Sequence, residues 1–195
     1  MMKAIISGVP GAGKSSTCER IKSLMKKVKT INFGDMVYEL SVEKHPEMIS
    51  TRESIRELPR NDYLEIQKMA ARRIAELDSD VIIDTHLSLK TSQGFYPGLP
   101  KEVLEIIRPD VIVILEPDPV EIYRRRLKDR QEDLRNRDQE DRDMIAFHME
   151  VNRLFGVSYS ALIGCYLNVI DLRWEEDYPF HHADVAAKIV VKLFD

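Results

Sequence analysis

The stretch KAIISGVPGAGKSS, residues 3–16, decides the fold of this chain. It opens with a short apolar run that stops at a glycine, as a buried strand does, and from Lys14 to about residue 27 the pattern is helical. Between the two lies a complete G-x-x-x-x-G-K-[ST] pattern, formed by Gly8, Val9, Pro10, Gly11, Ala12, Gly13, Lys14 and Ser15. A strand before this pattern and a helix after it are the context of a phosphate-binding loop.

Each residue type in the predicted loop has a physical reason. Glycines lack a Cβ atom, so that backbone N–H groups converge on an anion, and the helix that follows adds free amides and its positive dipole end. Lys14 supplies a mobile charge for the β- and γ-phosphates, and the Ser15 hydroxyl is expected to bind Mg²⁺. Asp84 closes a later apolar strand, where a second group on the magnesium side is expected. The alternative is that Asp84 only caps the next loop.

The composition limits the classes of partner. The 195 residues suit one domain, and 44% apolar residues are enough for a core. A net charge of -4 disfavours nucleic acid as the main partner. Neither a signal peptide nor an apolar run of spanning length occurs, so we expect a cytoplasmic protein without a membrane partner. Cys18 and Cys165 lack metal or disulfide spacing, which favours buried thiols.

Strands and helices alternate along the chain. Apolar runs predict further strands at 30–33, 81–84, 111–115 and 168–172. Helices are predicted at 35–44, 51–58, 61–77, 101–107, 119–128, 144–165 and 183–194. Asp35 is expected to cap the helix that follows it, and 85–100 is expected to be a long loop. The alternation predicts an α/β fold, a three-layer P-loop arrangement with a five-stranded parallel sheet. Ligands of such sheets bind at the carboxyl ends of the strands.

Two segments carry candidate binding residues beside the loop. The segment 85–100 follows Asp84 directly and contains Lys90, which can pair with an anion. It also contains Phe95 and Tyr96, which either stack on a base or pack the segment onto the core. The segment 129–142 alternates arginines with acids, and it is either a solvated, charge-balanced helix or a lid that brings arginines over a transferring phosphoryl group.

A phosphate loop alone fits GTPases, ATPases and kinases. The guanine-binding pattern N-K-x-D does not occur, which argues against a GTPase. A chain of 195 residues also leaves no room for a large mechanical module. The remaining classes are kinases and small nucleotide-switched proteins.

Several blocks taken together resemble archaeal-type adenylate kinases. In chain order they are GVPGAGKSS at 8–16, INFGD at 31–35, DTH at 84–86 with KT at 90–91, GFYPGLP at 94–100 and RNRD at 135–138. The resemblance runs from the first strand to about residue 166. It implies one P-loop kinase domain over 1–195, with a nucleoside-monophosphate-binding segment at 35–78, a short lid at 129–142 and assembly into a homotrimer.

The resemblance also implies a reaction, ATP + AMP = 2 ADP, by in-line transfer with Mg²⁺ as cofactor. The residues implied to bind ATP are Gly8, Val9, Pro10, Gly11, Ala12, Gly13, Lys14, Ser15 and Ser16. Those implied to bind AMP are Asn32, Gly34, Arg56, His86, Lys90, Gly94, Phe95 and Tyr96. The catalytic groups expected around the moving phosphoryl are Lys14, Arg56, Arg126, Arg135, Arg137 and Arg153. The metal-side residues are Ser15 and Asp84.

Two departures and two rival functions stay open at this point. Glu57 stands where the family tends to have lysine, and the tail at 174–182 matches no family pattern. One rival is a kinase for UMP, CMP or a hydroxyl acceptor; an alcohol would need a base, for which Asp84 is the candidate. The other rival is a nucleotide-switched ATPase or RNA-processing factor, in which slow hydrolysis gates a partner.

Overall fold

The computed structural model describes residues 1–131 and 141–194, apart from the side chains of Glu53, Arg56, Arg130 and Gln131. The strands are β1 (Lys3–Ser7), β2 (Lys29–Asn32), β3 (Val81–Asp84), β4 (Ser88–Thr91), β5 (Gly94–Pro97), β6 (Val111–Pro117) and β7 (Tyr166–Leu172). The α-helices are α1 (Lys14–Leu24), α2 (Phe33–Lys44), α3 (Arg60–Ala75), α4 (Lys101–Ile107), α5 (Pro119–Gln131), α6 (Arg142–Ile163) and α7 (His181–Val191).

The central sheet has five parallel strands in the order β2-β3-β1-β6-β7. The inner strands β1, β3 and β6 are almost wholly buried, because helices cover both faces of the sheet. Asp84 at the end of β3 pairs in register with Ile6 of β1 and Asn32 of β2. The carboxyl ends of three strands therefore meet at one edge, and the predicted five-stranded parallel sheet is confirmed.

Two apolar clusters lie on opposite faces of this sheet. Side chains alternate along each strand, so that Ile5 and Ile83 pack under α2, α3, α4 and α6, whereas Ile6 and Ile82 pack under α1, α5 and α7. The three-layer arrangement predicted from the sequence is thus confirmed. In the described part of the chain, no helix combines the length and the apolar character needed to cross a bilayer.

The segment 85–100 is not the plain loop that the sequence predicts. β4 and β5 form an antiparallel hairpin that pairs Leu89 with Tyr96. Thr91 Oγ1 donates to the carbonyl oxygen of Gly94 at 2.8 Å, and Gly94 has a φ of 116°, so glycine suits the end of this turn. The prediction was wrong because four-residue strands are too short to show a clear alternation of apolar and polar residues.

The predicted helix at 51–58 is a 3-10 helix at Glu53–Glu57. The Ser54 hydroxyl donates to the Thr51 carbonyl oxygen at 2.7 Å and accepts from the Thr51 amide at 3.2 Å. Such local side-chain bonds compete with α-helical bonds, and Pro59 ends the segment.

The cap of α2 also differs from the expectation. Asn32, not Asp35, is the N-cap, and its Oδ1 accepts from the Asp35 amide at 3.0 Å. The strand before it therefore ends at Asn32, one residue earlier than predicted, and Phe33 already belongs to the helix.

Gly98 should be irreplaceable at the base of the hairpin. A Cβ atom there would lie 1.8 Å from the His86 carbonyl oxygen, while the Gly98 amide donates to the Leu87 carbonyl oxygen at 2.8 Å. Because that clash is with backbone, we expect Gly98→Ala to lower the free energy of unfolding by at least about 2 kcal/mol. Thermal and denaturant unfolding measure the loss.

Gly34→Ala is the matched control. Its Cβ would meet the movable end of the Arg52 side chain at 2.6 Å and the Asn32 Oδ1 atom at 3.3 Å, but no backbone atom of the described residues at such distances, and Gly34 lies within α2, where alanine is favourable. Equal losses of stability in the two variants would contradict the role given to Gly98.

Candidate active site

The phosphate loop predicted at 8–15 connects β1 to α1. Gly11 and Gly13 have φ angles of 92° and 93°, a conformation that L side chains rarely adopt. The Ala12 amide donates to the Val9 carbonyl oxygen at 3.0 Å, and both side chains are buried in the core. The loop is thus held by its own turn and by packing, with the first turn of α1, which contains Ser15 and Ser16, directly behind it.

Lys14 and His86 share one acceptor in this loop. The Lys14 Nζ donates to the Gly8 carbonyl oxygen at 3.0 Å, and the His86 Nδ1 lies 3.0 Å from the same oxygen. Burial, and then the charge of Lys14, hold the pKa of His86 well below its usual value. The imidazole is therefore neutral near pH 7, and its Nδ1–H donates to Gly8. Its position beside the loop was predicted, but this contact was not.

Arg126 lies against the other side of the loop. Its side chain is buried, and its Nε donates to the Pro10 carbonyl oxygen at 2.8 Å. This contact joins α5 to the loop and holds a guanidinium group beside it, where the sequence placed a catalytic arginine.

The tail at 174–182 that matched no pattern also contacts α5. Arg125 NH2 donates to Glu176 Oε2 at 2.8 Å and to His182 Nδ1 at 3.0 Å. A Cβ atom at Gly13 would lie 3.7 Å from Arg125 NH1. The tail therefore fixes an arginine next to the phosphate loop, a contact that the sequence did not reveal.

Asp84 is a buried carboxylate at the end of β3. Asn32 Nδ2 donates to its Oδ2 at 3.2 Å, whereas its buried Oδ1 has no hydrogen-bond partner among the described residues. Burial raises the pKa of Asp84, and the charge of Lys14 opposes that shift. An orphaned carboxylate oxygen at the carboxyl edge of the sheet fits a hard cation such as Mg²⁺, which prefers oxygen ligands.

Arg52 lies in the segment 35–78, which the resemblance matched to the monophosphate side, but the sequence assigned it no individual contact. Its NH2 lies 2.8 Å from Asp35 Oδ1 and donates to Asn32 Oδ1 at 3.2 Å. Gly34 leaves the space for this guanidinium, since a Cβ atom would lie 2.6 Å from the Arg52 NH2. Its charge also acts on Asp84 and His86. The only sequence signal was its place near Arg56.

The hairpin aromatics have protein partners. The ring of Phe95 lies 5.8 Å from that of Phe147 and 4.9 Å from that of His148, both on α6. The Arg60 guanidinium lies 5.6 Å from the centre of the Tyr96 ring. These contacts favour packing of the segment, the second of the two interpretations. Lys90 pairs across the hairpin with Phe95, and Gly94 lies at the turn.

Of the remaining predicted arginines, the structure describes the side chain of Arg153 alone. Arg153 on α6 is bound to Glu116 at the end of β6, with its Nε 2.7 Å from Glu116 Oε1. Arg56 lies in the 3-10 helix, and its side chain is outside the described part. Arg135 and Arg137, with most of the predicted lid, also lie outside the described residues.

The neutral state of His86 predicts a pH dependence of stability. The unfolded chain takes up a proton on this residue near pH 6.5, whereas the folded chain does not. The unfolded state thus binds more protons as the pH falls, so the free energy of unfolding should decrease from about pH 7.5 to about pH 5.5. We expect a shallower decrease in His86→Asn, measured by urea unfolding across this range. His45→Asn is the control, and an identical slope in all three proteins would contradict the assignment.

Comparisons with known proteins show which family this chain resembles. The sequence model of a family described as AAA domain matches residues 7–146. An adenylate kinase from Pyrobaculum aerophilum is 38% identical over 194 residues, which cover 98% of this chain and 96% of that protein. One from Methanopyrus kandleri is 40% identical over 171 residues, 86% of this chain and 87% of that protein.

A solved structure matches the fold. Shikimate kinase from Bacteroides thetaiotaomicron superposes with a TM-score of 0.59 over 99% of this chain and 98% of its own, at 16% identity. At that identity the likeness concerns the fold alone. The level and extent of the sequence identities confirm the resemblance drawn from the motifs: the chain belongs to the adenylate kinase family.

Proposed function

We propose that this protein is an adenylate kinase that catalyses ATP + AMP = 2 ADP by direct in-line phosphoryl transfer with Mg²⁺. The observation that carries the proposal is the meeting of the phosphate loop, Asp84 and Asn32 at one edge of the sheet. Family membership supports AMP as the acceptor, since the relatives described above are adenylate kinases.

The acceptor needs no general base in this reaction. The second pKa of a phosphate monoester is about 6, so the AMP phosphate is mostly a dianion at neutral pH. The protein has to supply position and positive charge around the moving phosphoryl group.

Lys14 provides the mobile charge at the donor. Its ammonium donates to the neutral Gly8 carbonyl oxygen, which is a weaker acceptor than an anionic phosphate oxygen. Arrival of the triphosphate therefore draws the ammonium from Gly8 towards the β- and γ-phosphates, while the neutral His86 keeps its bond to that oxygen. Arg126, held by Pro10, adds a charge that does not need to move.

Ser15 and Asp84 would hold the magnesium ion that accompanies ATP. When bound, the ion neutralises charge on the β- and γ-phosphate oxygens. Asn32 fixes Asp84 by donating to Oδ2, which leaves Oδ1 for the metal side.

The acceptor nucleotide lies between the segment 35–78 and the hairpin in this proposal. The side chains assigned to AMP are those of Asn32, Arg56, His86 and Lys90, with Gly34 and Gly94 giving close approach of the backbone. Phe95 and Tyr96, whose rings contact Phe147 and Arg60, hold the hairpin in place in this proposal. Arg52 supports this assignment, because it brings a guanidinium to Asn32 at the same edge. Arg135 and Arg137 of the lid, over 129–142, close on the phosphates from outside, together with Arg153.

An acceptor panel tests the function. With Mg²⁺-ATP fixed, we expect ADP to form with AMP at rates of about 10 s⁻¹ or more, and much more slowly with UMP, CMP or a sugar. Purified ADP should conversely yield ATP and AMP. Coupled assays and chromatography of the nucleotides measure both directions. Equal rates with UMP or CMP would favour the first rival, and hydrolysis without disproportionation would favour the second.

Lys14→Met is the variant that ties activity to the loop. It removes the ammonium but keeps the length of the side chain, so the fold should survive while turnover falls by about a thousandfold. Lys22→Met, on the same helix, is the control with turnover unchanged. Retained turnover in Lys14→Met would remove the role assigned to the lysine.

Self-association into a homotrimer is part of the same proposal. Helix α6 buries Ile145, Met149 and Tyr159 against the core but exposes a further set of large apolar side chains on its opposite face. That set is Phe147, Leu154, Val157 and Leu162. Exposed apolar area on one helix face supports contact with another protein surface, here a second copy of the chain.

Sedimentation velocity tests the assembly. We expect a species of three times 22.6 kDa at micromolar concentration, and a shift towards monomer in Leu154→Glu. Leu24→Glu changes a similarly exposed leucine on α1 and should leave the mass unchanged. A monomeric parent protein would contradict the trimer.

A further inference from the structure

Glu116 is a buried carboxylate that binds two arginines from different parts of the chain. It lies near the end of β6, and its side chain is 3% exposed. Arg153 of α6 donates to Oε1 through Nε at 2.7 Å and to Oε2 through NH2. Arg173, which follows β7, donates through its own NH2 to Oε2 at 2.9 Å. We call these three residues the Glu116 clamp.

The two arginines of the clamp face solvent although their acceptor does not. Their side chains are 46% and 50% exposed, for Arg153 and Arg173 respectively. One carboxylate cannot neutralise two guanidinium groups, so the clamp carries a net positive charge. Asp171 lies 3.9 Å from Arg173 but is itself 72% exposed, and such a contact contributes little.

The clamp lies beside the phosphate loop. Leu115, the residue before Glu116, presents its carbonyl oxygen to Gly8, where a Cβ atom would lie 3.1 Å away. Ser7 pairs in register with Ile114, so Glu116 comes level with the start of the loop. The clamp therefore lies at the same sheet edge as Lys14 and Asp84.

We propose that Glu116 is a positioning residue for phosphoryl transfer, and that Arg173 acts with Arg153 on the moving phosphoryl group. The carboxylate fixes two long side chains that would otherwise repel each other and sample many rotamers. Their outward N–H groups then meet charge that spreads over the equatorial phosphoryl oxygens in the transition state. The inference rests on the adenylate kinase activity proposed above.

Chemistry supports arginine rather than lysine at both positions. Arg153 binds the carboxylate through two N–H groups and Arg173 through one, and each guanidinium keeps further N–H donors for a second oxyanion. Glu116 raises the pKa of Arg153 still further above its usual range, so this group stays charged throughout the reaction.

Variants of the clamp separate a role in transfer from a role in stability. In Glu116→Gln and Arg173→Gln we expect kcat to fall about 10- to 100-fold, while KM for ATP and AMP changes less than about threefold. Arg173→Lys should recover part of kcat, because it restores charge without the planar fork. The double variant Glu116→Gln/Arg173→Gln should have about the same kcat as Glu116→Gln alone, because the two residues act through the same contact. Steady-state kinetics and thermal unfolding are measured on the same preparations.

Arg73→Gln is the matched control. Arg73 is 49% exposed, about as much as Arg173, and pairs with the exposed Glu43 between α3 and α2, so the variant removes an arginine of similar exposure outside the clamp, and kcat should be unchanged. A kcat within twofold of the parent in both clamp variants, with only the unfolding temperature lowered, would overturn the proposal.

A binding measurement tests the role of the Glu116 clamp independently of turnover. The probe is diadenosine pentaphosphate, whose phosphate chain joins donor and acceptor positions across the path of the phosphoryl group. Calorimetry should show at least about tenfold weaker binding in Arg173→Gln and Glu116→Gln, and no change in Arg73→Gln. Unchanged affinity in the clamp variants overturns the inference even if the parent protein were inactive, in which case the proposed function would have failed separately.

Discussion

The in-register pairing of β1, β2 and β3 is the constraint on which the rest of the site depends. It sets Asp84 level with Ile6 on one side and Asn32 on the other, so that three polypeptide segments leave the sheet at one edge. A shift of the strand register by one residue would turn the Asp84 side chain to the opposite face of the sheet. The hydrogen bond from Asn32 to Asp84 would then be lost. Apolar packing on both faces of the sheet prevents that slip, and the core thereby fixes the polar geometry.

At this edge of the sheet the buried charge is the carboxylate of Asp84, and the mobile charge is the ammonium of Lys14. Asp84 is buried, and Lys14 offsets part of the cost of its ionisation. His86 avoids that cost by remaining neutral, which lets it share the Gly8 oxygen with Lys14 without adding a second positive charge there. Arg153 and Arg173, which face solvent, are instead both bound to the buried carboxylate of Glu116.

The sheet and the phosphate loop could be predicted from sequence because their signals are local. The position of Lys14 follows from two local features, the apolar run before the glycines and the start of a helix after them. Neither feature depends on tertiary contacts. The Glu116 clamp could not be predicted, since Arg153 and Arg173 meet only when α6 and the end of β7 pack beside β6. The hairpin was missed because its strands of four residues are too short to show a pattern, and because the contact of Phe95 with α6 is tertiary.

The tight base of that hairpin links two helices that cover the same face of the sheet. Gln67 of α3 donates to the Gly98 carbonyl oxygen at 3.3 Å, and Tyr159 of α6 donates to the Leu87 carbonyl oxygen at 2.9 Å. Because the Gly98 amide also donates to the Leu87 carbonyl oxygen, hydrogen bonds connect α3, the hairpin base and α6. A substitution that loosens the hairpin base would therefore disturb contacts of both helices at once.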